Sequence, residues 1–201
     1  MRTLRLVRLL PVLVLALALA GCGGGGGDSG GTAPDVPPGT DAGTVSSTIY
    51  DYVFAELNAM RAAENPNAAP FVRDGGLDTY AQAATDAFMT SGVAHGYFDA
   101  VDILPSCPTA VAPNVGATVP NDPIPGCPAA ARENQGVASG GPTTAAVDLI
   151  LNAFLAEKPL APCSPGRGHY DAMIDPRMNS VGIGLTQSTD GRLWLTIEFC
   201  D

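Results

Sequence analysis

The sequence predicts an α+β domain behind an export leader and a flexible tether. Three observations carry that prediction. Three helical stretches with apolar stripes come first, between residues 48 and 158. Two strands joined by a short turn come last, in residues 181–200. No strand–helix unit repeats, so segregated helices and strands fit better than a doubly wound parallel sheet.

The leader spans residues 1–21. Arg2, Arg5 and Arg8 precede an apolar run from Leu9 to Ala20, broken only by Pro11. A bilayer-spanning helix needs about 20 apolar residues, so this shorter run suits the apolar region of a signal peptide. It ends in Leu19-Ala20-Gly21-Cys22, which resembles the bacterial lipoprotein signal. That resemblance implies a lipid on Cys22, cleavage before it and acylation of the new amino terminus. More than one acyl chain gives stable anchoring where a single chain is marginal. The alternative is an ordinary signal peptide with a cysteine nearby. Gly23 carries no retention signal of the Asp type, which points to the outer membrane if the cell has one. Either way the domain is expected on the extracytoplasmic side, in the periplasm or at the cell surface.

Residues 22–45 form the expected tether. Gly23 to Gly27 is polyglycine, and Pro34, Pro37 and Pro38 follow. Such a composition buries no core and is expected to stay flexible. A chain of this length gives a root-mean-square reach of about 25 Å.

The charge excludes some partners. The protein has 20 acidic and 10 basic residues, a net charge of −10. Three of the arginines lie in the leader, so the rest is more acidic still. That surface repels nucleic acid phosphates, and it disfavours electrostatic docking onto anionic lipid.

The domain is expected over residues 46–201. The first helix is predicted over Thr48–Glu64, capped by Thr48, with Ile49, Val53, Leu57 and Met60 as its apolar stripe. Asn65-Pro66-Asn67 stops it. The second helix is predicted from Gly76 or Leu77 to about Thr90. Leu77, Ala81, Ala84 and Phe88 share one face, and the alanines permit close packing. Residues 97–132 hold seven prolines and no periodicity, and read as a long irregular loop. The third helix is predicted from Pro142 to about Lys158, with Glu157 on the stripe of Ala146, Ile150, Ala153 and Phe154. A carboxylate facing inward needs partners or a metal.

In Val181-Gly182-Ile183-Gly184-Leu185, period two puts the apolar residues on one sheet face. The glycines bare the other face for very close packing. Ser188-Thr189-Asp190-Gly191 reads as a hairpin turn. In the strand beyond it, Leu193, Leu195, Ile197 and Phe199 face one way, and Trp194, Thr196, Glu198 and Cys200 the other.

The segment Arg167-Gly168-His169-Tyr170 through Asn179-Ser180-Val181-Gly182-Ile183-Gly184 resembles the last third of the CAP superfamily. That is the SCP-like domain of cysteine-rich secretory proteins, venom allergens and plant pathogenesis-related proteins. Other pieces agree in part. Leu57-Asn58-Ala59-Met60-Arg61 matches the family's first-helix signature. Glu133-Asn134 matches its Gly-Glu-Asn motif, with Arg132 in place of the usual Gly and Gln135 in place of an apolar residue. Phe154-Leu155-Ala156-Glu157 matches Trp-x-x-Glu with Phe for Trp. The resemblance implies an α-β-α sandwich with a central antiparallel sheet flanked by helices.

It also implies a cavity formed by His95, Glu133, Glu157 and His169. His95 and His169 are the chain's two histidines, and both fall at matching positions. Two imidazoles and two carboxylates suit Zn²⁺ or another divalent ion. They equally suit acid–base pairs, each Glu orienting a His, or a polar network that only ties sheet to helices. No cofactor is fixed by the sequence.

Setting Cys22 aside, Cys107, Cys127, Cys163 and Cys200 make an even set in an exported chain. They read as two disulfides with three possible pairings. Cys107 with Cys127 is the most local choice, leaving Cys163 with Cys200. A four-cysteine zinc site is weak, since zinc pairs sit about two to four residues apart. No Gly-x-Ser-x-Gly elbow is present, and oxidised cysteines cannot serve as nucleophiles. The family resemblance, with the lack of a nucleophile, therefore implies a lipid-anchored binding module for a small apolar ligand or protein partner. The alternatives are a metal-dependent hydrolase using the His/Glu cavity and a structural envelope protein.

Overall fold

In the computed structural model, residues 45–95, 97, 131–160 and 167–201 are described. Their elements run α1 (Ser47–Glu64), β1 (Val72–Arg73), α2 (Gly75–Ser91), β2 (Ala131–Ser139), α3 (Thr144–Leu155), α4 (Gly168–Ile174), β3 (Ser180–Gln187) and β4 (Arg192–Cys200). The leader, residues 22–44 of the tether (Cys22 among them), Cys107, Cys127 and Cys163 lie outside the described residues, as does most of the expected loop.

Local chemistry sets the helix ends. Ser46, not Thr48, caps α1, its hydroxyl accepting from the Thr48 amide at 3.3 Å. The Asp74 carboxylate accepts from the Gly76 and Leu77 amides at 2.8 and 2.9 Å and so starts α2. Gly92 ends α2 in the left-handed conformation, φ 71°. Thr143 caps α3. This helix is therefore shorter than expected at both ends: Pro142 precedes the cap, and Glu157 lies in the turn after the helix rather than on its stripe.

The sheet order is β1-β3-β4-β2. β2 and β3 both pair antiparallel with β4, and β1 adds two residues in parallel with β3. The sheet is thus mixed, with an antiparallel body. β2 replaces the end of the expected loop: Ala131 and Arg132 pair with Cys200 and Phe199.

The two faces of the sheet carry different layers. Val181, Ile183, Leu185, Leu193, Leu195, Ile197 and Phe199 join buried residues of α1, α3 and α4 in one core. The opposite face is covered by α2. A Cβ at Gly182 would stand 2.1 Å from the Leu77 carbonyl carbon, and one at Gly184 2.1 Å from the Ala81 oxygen. The glycines thus let a helix backbone lie directly on the strand. The result is the α-β-α sandwich.

Two polar anchors fix α4 and the turn after it. Arg61 of α1, 1% exposed, donates to the carbonyls of Ala69, Met173, Asp175 and Met178. Arg132 of β2 meets the Asp175 carboxylate at 3.0 Å, with both side chains buried. Asp175 also takes hydrogen bonds from Arg177. Burial works to raise its pKa. The Arg177 hydrogen bonds and the charges of Arg132 and Arg177 outweigh burial and hold the carboxyl below its ordinary range.

Candidate functional site

The expected four residues come together as two histidine–glutamate pairs. His95 Nδ1 lies 2.6 Å from Glu133 Oε1, and His169 Nδ1 lies 2.5 Å from Glu157 Oε1. The two imidazoles face each other with centroids 6.3 Å apart and planes 28° apart. Phe154 stacks on His169 at 4.6 Å.

The pairs arrive from opposite sides of the sheet and meet at its outer strand, β2. Consecutive β2 side chains point to opposite faces. Glu133, on the α2 face, takes the His95 ring. Asn134, on the other face, donates its amide to the His169 carbonyl at 3.0 Å. The Glu-Asn dipeptide therefore serves one histidine with each residue. Further along β2, a Cβ on Gly136 would stand 3.3 Å from the Phe154 ring.

Glu157 is fully engaged. Besides the His169 ring, its other oxygen accepts from the His169 and Tyr170 amides at 2.9 and 3.1 Å. It thereby satisfies the first turn of α4, which has no side-chain cap of its own. Arg167 holds the turn after α3 against α4, donating to Asp171 and to the carbonyls of Lys158 and Leu160.

The sequence reading missed two members of the site. Glu198 on β4 is paired in register with Glu133 and has 0% exposure. Burial and the neighbouring Glu133 carboxylate push its pKa well above the carboxylate range. The signal was its place on the strand face that the glycines leave open to α2, where a carboxylate becomes buried. Gln135 accepts from the His95 amide at 2.6 Å. Its signal was the polar residue where the family motif carries an apolar one.

The geometry divides the four residues into two donors and two orienting groups. Each Nδ1 is bound to its glutamate, so a metal ion held by these imidazoles would meet Nε2. A carboxylate on the other ring nitrogen is the usual way that a metal-ligating histidine is held. Both oxygens of Glu157 take part in these hydrogen bonds. Among the described residues no group of three or more His, Cys, Asp and Glu is arranged to hold a metal ion.

Cys200 ends β4, buried and disulfide-bonded. The pairings expected for it and for Cys107, Cys127 and Cys163 involve residues outside those described. Among the described residues no helix is long and apolar enough to cross a membrane.

No family model matches the sequence, and no curated protein matches it. Solved structures do. An outer surface protein from Borrelia burgdorferi is similar with TM-score 0.50 and 15% identity, over 79% of this chain and 97% of that one. The hookworm platelet inhibitor is similar with TM-score 0.51 and 12% identity, over 81% of this chain and 74% of that one. NaASP2, solved with Zn²⁺, is similar with TM-score 0.51 and 10% identity, over 77% of this chain and 80% of that one. The chain has the CAP-like fold.

Proposed function

We propose that this protein is an exported, lipid-anchored CAP-like binding module whose histidine pair takes a divalent ion. The observation that carries this reading is the pair of facing imidazoles, each held at Nδ1 by a glutamate. His95 and His169 are the ligands. Glu133 and Glu157 orient them and raise their basicity. A bound ion supplies positive charge and open coordination positions, through which a small ligand or protein partner docks. NaASP2, solved with Zn²⁺, shares the fold, which supports the choice of ion.

Two protein ligands make a weak site. Zinc needs neutral imidazoles, so affinity falls as pH drops and the imidazoles take up protons. Isothermal titration calorimetry at neutral pH is expected to give one Zn²⁺ per chain. The heat is expected to vanish in the His95→Ala, His169→Ala double variant. No heat from the folded wild type overturns the reading and returns the four residues to a structural network.

The anchor rests on Leu19-Ala20-Gly21-Cys22. The wild type is expected to partition into a detergent phase and carry acyl mass on Cys22. Cys22→Ser is expected to stay in the aqueous phase or remain unprocessed. Unchanged membrane retention of that variant contradicts the anchor.

A further inference from the structure

His95 stands in an unusual backbone state. Its φ is 60°, and it is the one non-glycine residue with positive φ among those described. The left-handed conformation disfavours residues with a Cβ, so it persists where surrounding contacts impose it. Two side chains of β2 supply such contacts. Glu133 takes the ring at Nδ1, and Gln135 takes the main-chain amide. They are two residues apart and so project from the same face of the strand.

Gln135 is itself held. It is 5% exposed, and both ends of its amide are in use. The His95 amide can only donate, so the Gln135 oxygen must face it. The Gln135 nitrogen then donates to the Thr196 hydroxyl at 3.1 Å. Thr196, its register partner on β4, has 0% exposure. The chain of contacts runs from the central strand through Thr196 and Gln135 to the His95 backbone. An apolar residue at 135 would strip the His95 amide and the buried Thr196 hydroxyl of this partner.

We infer that Gln135, braced by Thr196, is a positioning residue that fixes the left-handed backbone of His95 and so sets its imidazole opposite His169. This rests on the proposed ion site only for its consequence, not for its geometry. Glu133 restrains the ring end of His95, and Gln135 restrains its main-chain end. With the main-chain end released, the ring can meet Glu133 from several backbone conformations, and the spacing to His169 is no longer defined. Gln135 thus acts on the site through His95.

The test compares wild type with Gln135→Leu, Thr196→Val and Thr196→Ser. It uses zinc-free protein labelled with ¹⁵N on backbone and histidine rings. In Gln135→Leu the His95 amide is expected to exchange about tenfold faster, the equivalent of one lost hydrogen bond. The His95 ring signals are expected to shift and broaden, as the ring meets Glu133 from several backbone conformations, while the His169 ring signals hold. Thr196→Val is expected to give the same change in smaller measure, and Thr196→Ser, which keeps the hydroxyl, to restore it. If Gln135→Leu fails to fold, the two Thr196 variants carry the comparison. Unaltered His95 amide exchange and ring signals in a folded Gln135→Leu or Thr196→Val protein overturn the inference. Calorimetry on the same samples separates the two claims. A wild type that binds no Zn²⁺ defeats the ion site, while the zinc-free spectra still decide the role of Gln135. Where the wild type binds, Gln135→Leu is expected to bind about tenfold more weakly.

Discussion

His95 and His169 face each other across 6.3 Å although they are carried on opposite faces of the sheet. One follows α2, and the other belongs to α4. What joins them is β2, whose residues 133 and 134 reach one histidine each. The site therefore depends on how closely the helical layers approach the strands.

That approach is as tight at Gly184 as at Gly182. A Cβ there would stand 2.1 Å from the Ala81 oxygen and 2.4 Å from the Thr85 hydroxyl. Neither backbone nor buried Thr85 can yield without moving α2. Gly184→Val is expected to cost at least ~3 kcal/mol, the upper part of the overpacking range. Gly191→Ala, where the space is open but φ is 79°, is expected to cost less. Urea denaturation of the two variants checks the order.

Glu157 links α3, α4 and His169 through three hydrogen bonds. Glu157→Ala is expected to cost ~2–4 kcal/mol, since it leaves two amides and an imidazole without their acceptor. Glu157→Gln keeps an acceptor for the amides and is expected to cost less than half of that. The His169 and Tyr170 amides should lose hydrogen-exchange protection in the alanine variant first.

The buried pair of Arg132 and Asp175 gives a second stability prediction. Asp175→Asn leaves the Arg132 guanidinium buried without its countercharge, with an expected cost of ~3–5 kcal/mol. Thermal unfolding at neutral pH reads it directly. A loss under ~1 kcal/mol would show that the guanidinium finds compensation elsewhere.

Glu198 predicts a pH dependence with a definite sign. Its folded pKa lies well above the ordinary value of 4.5, through burial first and the Glu133 charge second. The folded state then keeps a proton that the unfolded state loses. Its contribution is complete below pH 4.5 and declines as pH rises toward the folded value, by at most about 1.4 kcal/mol per unit. The carboxylate beside it is Glu133, which in turn holds the His95 ring. Glu198→Gln holds a neutral side chain at every pH and is expected to flatten the fall in stability as pH rises above 4.5. Urea midpoints across that range, wild type against variant, provide the check.

Most of this framework was legible in the sequence because period and sterics speak locally. The Val-Gly-Ile-Gly-Leu alternation announced both the buried face and the close helix, and Gly182 and Gly184 do meet the α2 backbone. Ser188–Gly191 is the turn that joins β3 to β4. β2 was not legible, since Arg132, Glu133, Asn134 and Gln135 are polar on both faces. Their burial comes from partners far along the chain: Asp175, His95, His169 and Thr196. α4 was hidden for a related reason. Seven residues behind Pro165 and Gly166 carry little helical signal, and their first turn is satisfied by Glu157 from another element. Glu198 was assigned to its strand face but not to the site, because its partner Glu133 lies on a strand that no sequence pattern announced.

The central claim is that His95 and His169 form one ion site. Zn²⁺ titration followed through the ¹⁵N signals of both imidazoles tests it most directly. The account predicts that both Nε2 signals move together, saturate at one ion per chain, and leave each Nδ1 bound to its glutamate. Movement of one imidazole alone, or of neither, in folded protein at neutral pH would contradict it.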